Sequence, residues 1–167
     1  MIRLKVVLVG TNAVGKTSLV NRYTRNLFAN TYLNTIGCDI YIKNVEFQGE
    51  ACKLVIHDIG GQLEFRGFRR KCLENADIVL VVFALNNSGA HDLDTYIADV
   101  LAMPTPPTWA IVGNKMDLVE IGKLDLSAVK ALAEKNGVSL YLTSAKENTN
   151  VQDVFFGMIK QRLVARA

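Results

Sequence analysis

Gly10-Thr11-Asn12-Ala13-Val14-Gly15-Lys16-Thr17 fits the pattern G-x-x-x-x-G-K-[ST]. It joins an apolar run, residues 4–9, to a segment of helical period that opens with Ser18-Leu19-Val20. Glycine tolerates the backbone curl that turns successive N–H groups into one concavity, and the N-terminus of the following helix adds its partial positive charge there. The stretch reads as a phosphate-binding loop between a buried strand and a helix, with polyphosphate as its natural occupant. In that reading Lys16 reaches the outer phosphates and the Thr17 hydroxyl takes a place on Mg2+.

Working outward, apolar runs alternate with helix-period segments along the whole chain, which predicts an α/β fold with a mostly parallel sheet covered by helices on both faces. A helix is expected over 16–25, then a polar stretch through Asn34. Residues 40–47 alternate, Gln48-Gly49-Glu50 turns the chain, and 52–56 returns, so this pair is read as an antiparallel edge hairpin. Beyond it the pattern predicts a helix at 65–74, a strand at 77–85, a helix at 91–102, a proline-rich connection at 104–107 and a strand at 109–112. A loop and helix over 120–136, a strand at 138–142 and a last helix at 151–165 complete the chain. Val154, Phe155, Met158, Ile159 and Leu163 are expected on the inner face of that helix as core.

Further motifs sit at strand ends. Asp58-Ile59-Gly60-Gly61-Gln62 closes the returning strand, at the edge where doubly wound sheets place ligand-binding groups. Asp58 is placed to hold Mg2+ through water, because magnesium keeps several waters and takes few protein ligands. The Gly61 N–H can approach a terminal phosphate closely, and the Gln62 amide can orient a water for in-line attack. Asn114-Lys115-Met116-Asp117 follows the strand at 109–112. A carboxylate only accepts, so Asp117 can take hydrogen bonds from the ring N–H and exocyclic amine of guanine, whereas adenine offers it an acceptor and loses the pair. Asn114 is expected to tie this loop to the phosphate loop, and the stem of Lys115 to cover one face of the base. In Thr143-Ser144-Ala145-Lys146 the Ala145 N–H can donate to the guanine oxygen.

Composition bounds the rest. At 167 residues, half of them apolar and only 3 proline, the chain fits one folded domain, 1–167, with no need of disulfide staples. Its net charge of +3 is mild and the basic residues are spread, so no nucleic-acid binding is expected. Cys38, Cys52 and Cys72 show no C-x-x-C spacing, which speaks against a disulfide framework or a zinc site and fits a cytoplasmic location. Met1-Ile2-Arg3 runs straight into the first strand and Leu163-Val164-Ala165-Arg166-Ala167 lacks a prenylatable cysteine, so neither signal peptide nor lipid anchor is expected. Peripheral membrane association would then come only through partners or a tail beyond this sequence. Arg66, Arg69, Arg70 and Lys71 are expected on a solvated helix face, with a docking surface as the lesser reading.

Together these motifs resemble the Ras superfamily of small GTPases, and the resemblance covers essentially all 167 residues. Thr35-Ile36-Gly37-Cys38-Asp39 looks most like the Rab branch, whereas Ile59-Gly60-Gly61 is similar to the Arf and heterotrimeric α-subunit pattern. Asn12 stands where Ras itself has a glycine, and His57 where Rab proteins have an aromatic residue. The resemblance implies a P-loop NTPase G domain with a six-stranded, mostly parallel sheet and one antiparallel edge strand. It also implies GTP and GDP as substrate and product, Mg2+ as cofactor, and a monomer that meets effector, exchange-factor and GTPase-activating proteins. Nucleotide contacts are implied for Asn12, Ala13, Val14, Gly15, Lys16, Thr17, Ser18, Phe28, Tyr32, Thr35, Gly61, Asn114, Lys115, Asp117, Ser144, Ala145 and Lys146. Metal contacts fall to Thr17, Thr35 and Asp58, and catalysis to Gln62, Lys16 and Thr35. Residues 30–39 and 59–71 become switch segments, ordered by GTP and released after hydrolysis. The reading is a slow GTP-hydrolysing molecular switch. Its rivals are a nucleotide-locked scaffold without effective hydrolysis and, against Asp117 and Ala145, a P-loop ATPase or small-molecule kinase.

Overall fold

The computed structural model describes residues 1–86 and 92–165. Six strands form one sheet: β1 (Ile2–Val9), β2 (Cys38–Phe47), β3 (Glu50–Ile59), β4 (Ile78–Ala84), β5 (Thr108–Asn114) and β6 (Ser139–Leu142), in the spatial order β2-β3-β1-β4-β5-β6. β2 runs antiparallel to β3 at one edge, and the remaining neighbours are parallel. The helices are α1 (Lys16–Arg25), α2 (Arg66–Leu73), α3 (Leu93–Leu101), α4 (Ser127–Asn136) and α5 (Val151–Val164). This is the α/β architecture expected from the alternation of apolar runs and helical segments.

Alternation along β1 splits the core in two. Leu4, Val6 and Leu8 face a layer with Leu19 and Tyr23 of α1 and Phe155 and Met158 of α5. Val7 and Val9 face the opposite layer with Leu73 of α2, Ile97 of α3 and Val129 of α4. A central parallel strand is buried on both faces, which is why β4 reads Ile78-Val79-Leu80-Val81-Val82-Phe83-Ala84 with no polar residue. β1 has β3 on one side and β4 on the other, so the chain leaves the sheet in opposite directions there and opens a crevice beyond the strand ends. The register aligns those ends: Leu8 pairs with Asp58, Ala84 with Asn114, and Gly113 with Leu142.

Several expectations need correction. β2 begins two residues before the expected 40–47 and β3 extends beyond the expected 52–56 on both sides, because ladder pairing continues from Cys38↔Ile59 to Phe47↔Glu50 whatever the side chains. The helix expected at 65–74 is α2, and an unforeseen 3-10 turn, Leu63–Phe65, leads into it. Of the helix expected at 91–102, the described part is α3, and His91 lies outside the described residues, as do Arg166 and Ala167 at the chain's end. The basic face is solvated at Arg66, Arg70 and Lys71 as expected, and the miss is Arg69. Arg69 is 2% exposed and, with Arg66 and Arg70, converges on the buried Asp99 of α3. A guanidinium facing a packed helix finds a counter-ion rather than water. Among the described residues, no helix is long and apolar enough to cross a membrane.

Candidate functional site

The loop between β1 and α1 wraps a cavity of about 430 Å³ at the crevice, lined by Asn12, Ala13 and Gly15 through Ser18, by Phe28 to Leu33, and by the loops after β3, β5 and β6. Its local conformation follows from its residues. Gly15 caps α1 with a φ of 97°, and a Cβ there would collide with Asn114 Nδ2, so only glycine fits. Ala13 takes a φ of 63°, unfavourable for a residue with a side chain and of the kind that clusters at ligand-binding loops.

Lys16 is buried beneath this loop and donates from Nζ to Gly10 O at 2.7 Å and Thr11 O at 2.8 Å. Burial lowers its pKa to about 8; Asp58 opposes that shift and Arg69 adds to it. The ammonium therefore sits in a poorly solvated place with a strong reason to accept an anionic partner. Thr17 Oγ1 donates to Asp58 Oδ2 and lies 2.9 Å from Thr35 Oγ1. Asp58 Oδ1 is buried without a partner, and burial raises the Asp58 pKa against the Thr17 bond and the charge of Lys16. One orphaned carboxylate oxygen beside two hydroxyls is an all-oxygen donor set, which suits Mg2+ rather than zinc or copper. The residues present fit the ion.

Opposite, the base-side loops are cross-braced. Asn114 Nδ2 donates to Val14 O at 3.1 Å, so the loop after β5 is tied to the phosphate loop as expected. Asn114 Oδ1 accepts from Thr143 Oγ1 at 3.1 Å and from the Ala145 N–H at 3.2 Å. The Ala145 N–H thus already has a protein acceptor, which a base oxygen would have to share. Ser144 Oγ donates to Asp117 Oδ1 at 2.6 Å and holds that carboxylate by one oxygen. Lys115 lines the cavity with its backbone in the left-handed region, φ 68°.

The two segments beyond the phosphate loop touch each other and the loop. Gly60 N–H donates to Gly37 O at 2.8 Å, Gln62 Nε2 reaches Thr35 O at 3.4 Å, and Gly61 N–H donates to Asn12 Oδ1 at 3.1 Å. Tyr32 is exposed, with its hydroxyl on Asn34 Oδ1 at 2.7 Å.

Of the residues read from sequence, Asn12, Ala13, Gly15, Lys16, Thr17, Ser18, Phe28, Tyr32, Thr35, Gly61, Asn114, Lys115, Asp117, Ala145 and Lys146 line the cavity together. Val14, Asp58, Gln62 and Ser144 do not; they sit behind or beside it, Val14 and Ser144 through the hydrogen bonds above. Sequence reasoning missed Arg22, which reaches from α1 to Ala145 O at 2.8 Å and Lys146 O at 2.9 Å and fixes that loop. It also missed Tyr96, whose hydroxyl donates to Gly61 O at 3.2 Å, and Thr143. No local pattern marks these three, since each acts across more than 25 residues of chain.

Comparison with known proteins gives a consistent answer. A sequence model of the Ras family matches residues 5–163. The "Ras-related protein Rab7" of Cenchrus ciliaris is 35% identical over 169 residues, which cover 96% of this chain and 82% of that protein. The "Ras-related protein RABG3e" of Arabidopsis thaliana is 35% identical over 161 residues, covering 91% and 78%. The "GTP-binding protein YPTM1" of Zea mays is 31% identical over 162 residues, covering 92% and 75%.

Proposed function

The chain belongs to the Ras family of small GTPases and is Rab-like, and from that premise we propose that it cycles slowly between GTP and GDP at the cavity described above. The observation that supports this reading is that Asn114 Nδ2 donates to Val14 O, tying the loop that carries Asp117 to the loop at 10–17, while Ser144 Oγ holds the Asp117 carboxylate that lines the same cavity.

In the proposed cycle Asp117 accepts from the guanine ring N–H and exocyclic amine, and the Lys115 stem and Phe28 cover the base. The Ala145 N–H shares itself between Asn114 Oδ1 and the base oxygen in a three-centre bond. The amides of residues 13–18 receive the phosphates at the N-terminus of α1, and Lys16 neutralises their outer charge. Thr17, Thr35 and Asp58 would hold Mg2+, which when bound would supply neutralisation of the phosphate charge. Gln62 leaves its long contact with Thr35 O and orients the attacking water.

Hydrolysis is slow in this reading because 29–34, Ala29-Asn30-Thr31-Tyr32-Leu33-Asn34, carries no arginine to act in cis. An arginine supplied by a partner is worth about 10³–10⁵ in rate, so an activating protein is needed. Residues 30–39 and 59–71 would then report the nucleotide state to effectors, in signalling or vesicle traffic. The nucleotide-locked scaffold finds no support in the comparisons. The test is single-turnover GTP hydrolysis by wild type and Gln62→Leu. Slow turnover that falls at least tenfold in the variant is the expected result; equal rates in both remove Gln62 from the mechanism.

A further inference from the structure

Asn12 differs from the other residues of the phosphate loop in what its side chain does. Its Oδ1 accepts the Gly61 N–H at 3.1 Å. The donor is a backbone N–H, so the facing amide atom must be the oxygen. Gly61 is pressed onto the loop: a Cβ there would collide with Asn12 N and Thr11 C. Tyr96 donates to the Gly61 carbonyl at 3.2 Å, so both polar groups of this glycine are satisfied by protein alone.

From this we propose that Asn12 is a specificity residue that favours GDP over GTP, by competing with the terminal phosphate for the Gly61 N–H. The inference rests on the switch reading above together with the expectation from the sequence that this N–H approaches the terminal phosphate. A peptide N–H is a single donor. With GDP bound, no terminal phosphate calls on it, and the Asn12 bond persists. With GTP bound, recruiting Gly61 requires that bond to be broken or shared. The anionic phosphate oxygen is the stronger acceptor and takes the N–H, because charge-assisted hydrogen bonds are roughly twice as strong as neutral ones. The cost of displacing Asn12 is nevertheless subtracted from GTP affinity and not from GDP affinity. Removing the amide should raise the preference for GTP over GDP by roughly two- to tenfold, the equilibrium worth of one neutral hydrogen bond. A residue that merely shaped the loop would alter both nucleotides alike.

The experiment measures, with saturating Mg2+, the dissociation constants of GDP and of a non-hydrolysable GTP analogue for wild type, Asn12→Ala and Asn12→Gly. The ratio of the two constants is the readout, since losses common to both nucleotides cancel in it. Amide hydrogen exchange at Gly61 in GDP-bound wild type is measured alongside and does not depend on any variant folding. The proposal expects a ratio shifted two- to tenfold toward the GTP analogue in both variants, and a Gly61 amide protected in the GDP form. An unchanged ratio, a shift toward GDP, or a freely exchanging Gly61 amide overturns it while leaving the guanine-nucleotide reading in place. A wild type that binds no guanine nucleotide overturns both.

Discussion

Replacing Asp99 with asparagine should destabilise the protein far more than a surface change of one atom suggests. The Asp99 side chain is 0% exposed and accepts from Arg69 Nε at 3.0 Å and Nη2 at 2.7 Å, from Arg66 Nε at 2.8 Å and from Arg70 Nε at 3.0 Å. Arg69 is itself buried over the Tyr96 ring, 4.7 Å from its centroid, and its Nη1 has no hydrogen-bond partner. Breaking a buried pair by removing one charge costs about 3–5 kcal/mol, because the other charge stays desolvated. Arg66 and Arg70 are 48% and 53% exposed and can turn to water, so their share is about 0–1 kcal/mol each. A domain of this size loses about 2–4 °C of Tm per kcal/mol, so Asp99→Asn should melt about 6–20 °C lower. The pH dependence has a definite sign. Burial opposes ionisation of Asp99, but the hydrogen bonds from Arg69, Arg66 and Arg70 outweigh it and hold the carboxyl below its ordinary value of 3.8. The cluster's contribution is therefore full above that ordinary value and is lost as pH falls through the lower folded one. Thermal and urea unfolding at fixed excess GDP and Mg2+ is the assay, since bound ligand also shifts Tm. A variant within about 1 kcal/mol of wild type would refute the claim that the buried guanidinium needs its counter-charge.

Other consequences are as specific. Asp117→Asn replaces an acceptor by an amide that can also donate, so guanine should weaken by about tenfold to a few hundredfold in competition binding, while xanthine, with a carbonyl in place of the amine, gains; unchanged guanine affinity would remove Asp117 from base recognition. Arg22→Ala frees the carbonyls of Ala145 and Lys146, and stopped-flow release of GDP should quicken by about tenfold or more, the worth of a charge-assisted hydrogen bond; an unchanged rate would make Arg22 merely structural. Burial, with Cys72 nearby, pushes the Cys38 thiol up to about 12. Its thiolate fraction at pH 7.5 is then below about one in ten thousand, and iodoacetamide should leave Cys38 unmodified in peptide mapping of the native protein, whereas rapid stoichiometric labelling would contradict the raised thiol of this half-buried residue.

What the sequence disclosed and what it hid divide along chain distance. The phosphate loop, Asp58-Ile59-Gly60-Gly61-Gln62, Asn114-Lys115-Met116-Asp117 and Ser144-Ala145 were legible because each motif is a short backbone device at a strand end, and alternation along the chain fixes which edge those ends share. The bond from Asn114 to Val14 followed from that placement. The contacts that brace the site were not legible, because they depend on which helix face meets which neighbour. Arg69 and Asp99 meet across 30 residues, and a helix pattern alone assigns a run of arginines to water. One signal was available: Asp99 stands on the buried stripe of α3 with Tyr96, Ile97 and Val100, and a lone carboxylate there demands a cation. Asn12 was readable as a departure from glycine in Ras, but its partner Gly61 lies 49 residues away and only the closed packing of the two loops brings them together.

The central claim is that this cavity holds a guanine nucleotide, and the most direct measurement is the identity of the nucleotide released by denaturing the purified protein in the presence of Mg2+, with GTP and ATP then competed for the emptied site. The account predicts GDP or GTP at close to one per chain and no displacement by ATP. Adenine nucleotide in the extract, or ATP competing on equal terms with GTP, would contradict the role of Asp117 and the function built on it.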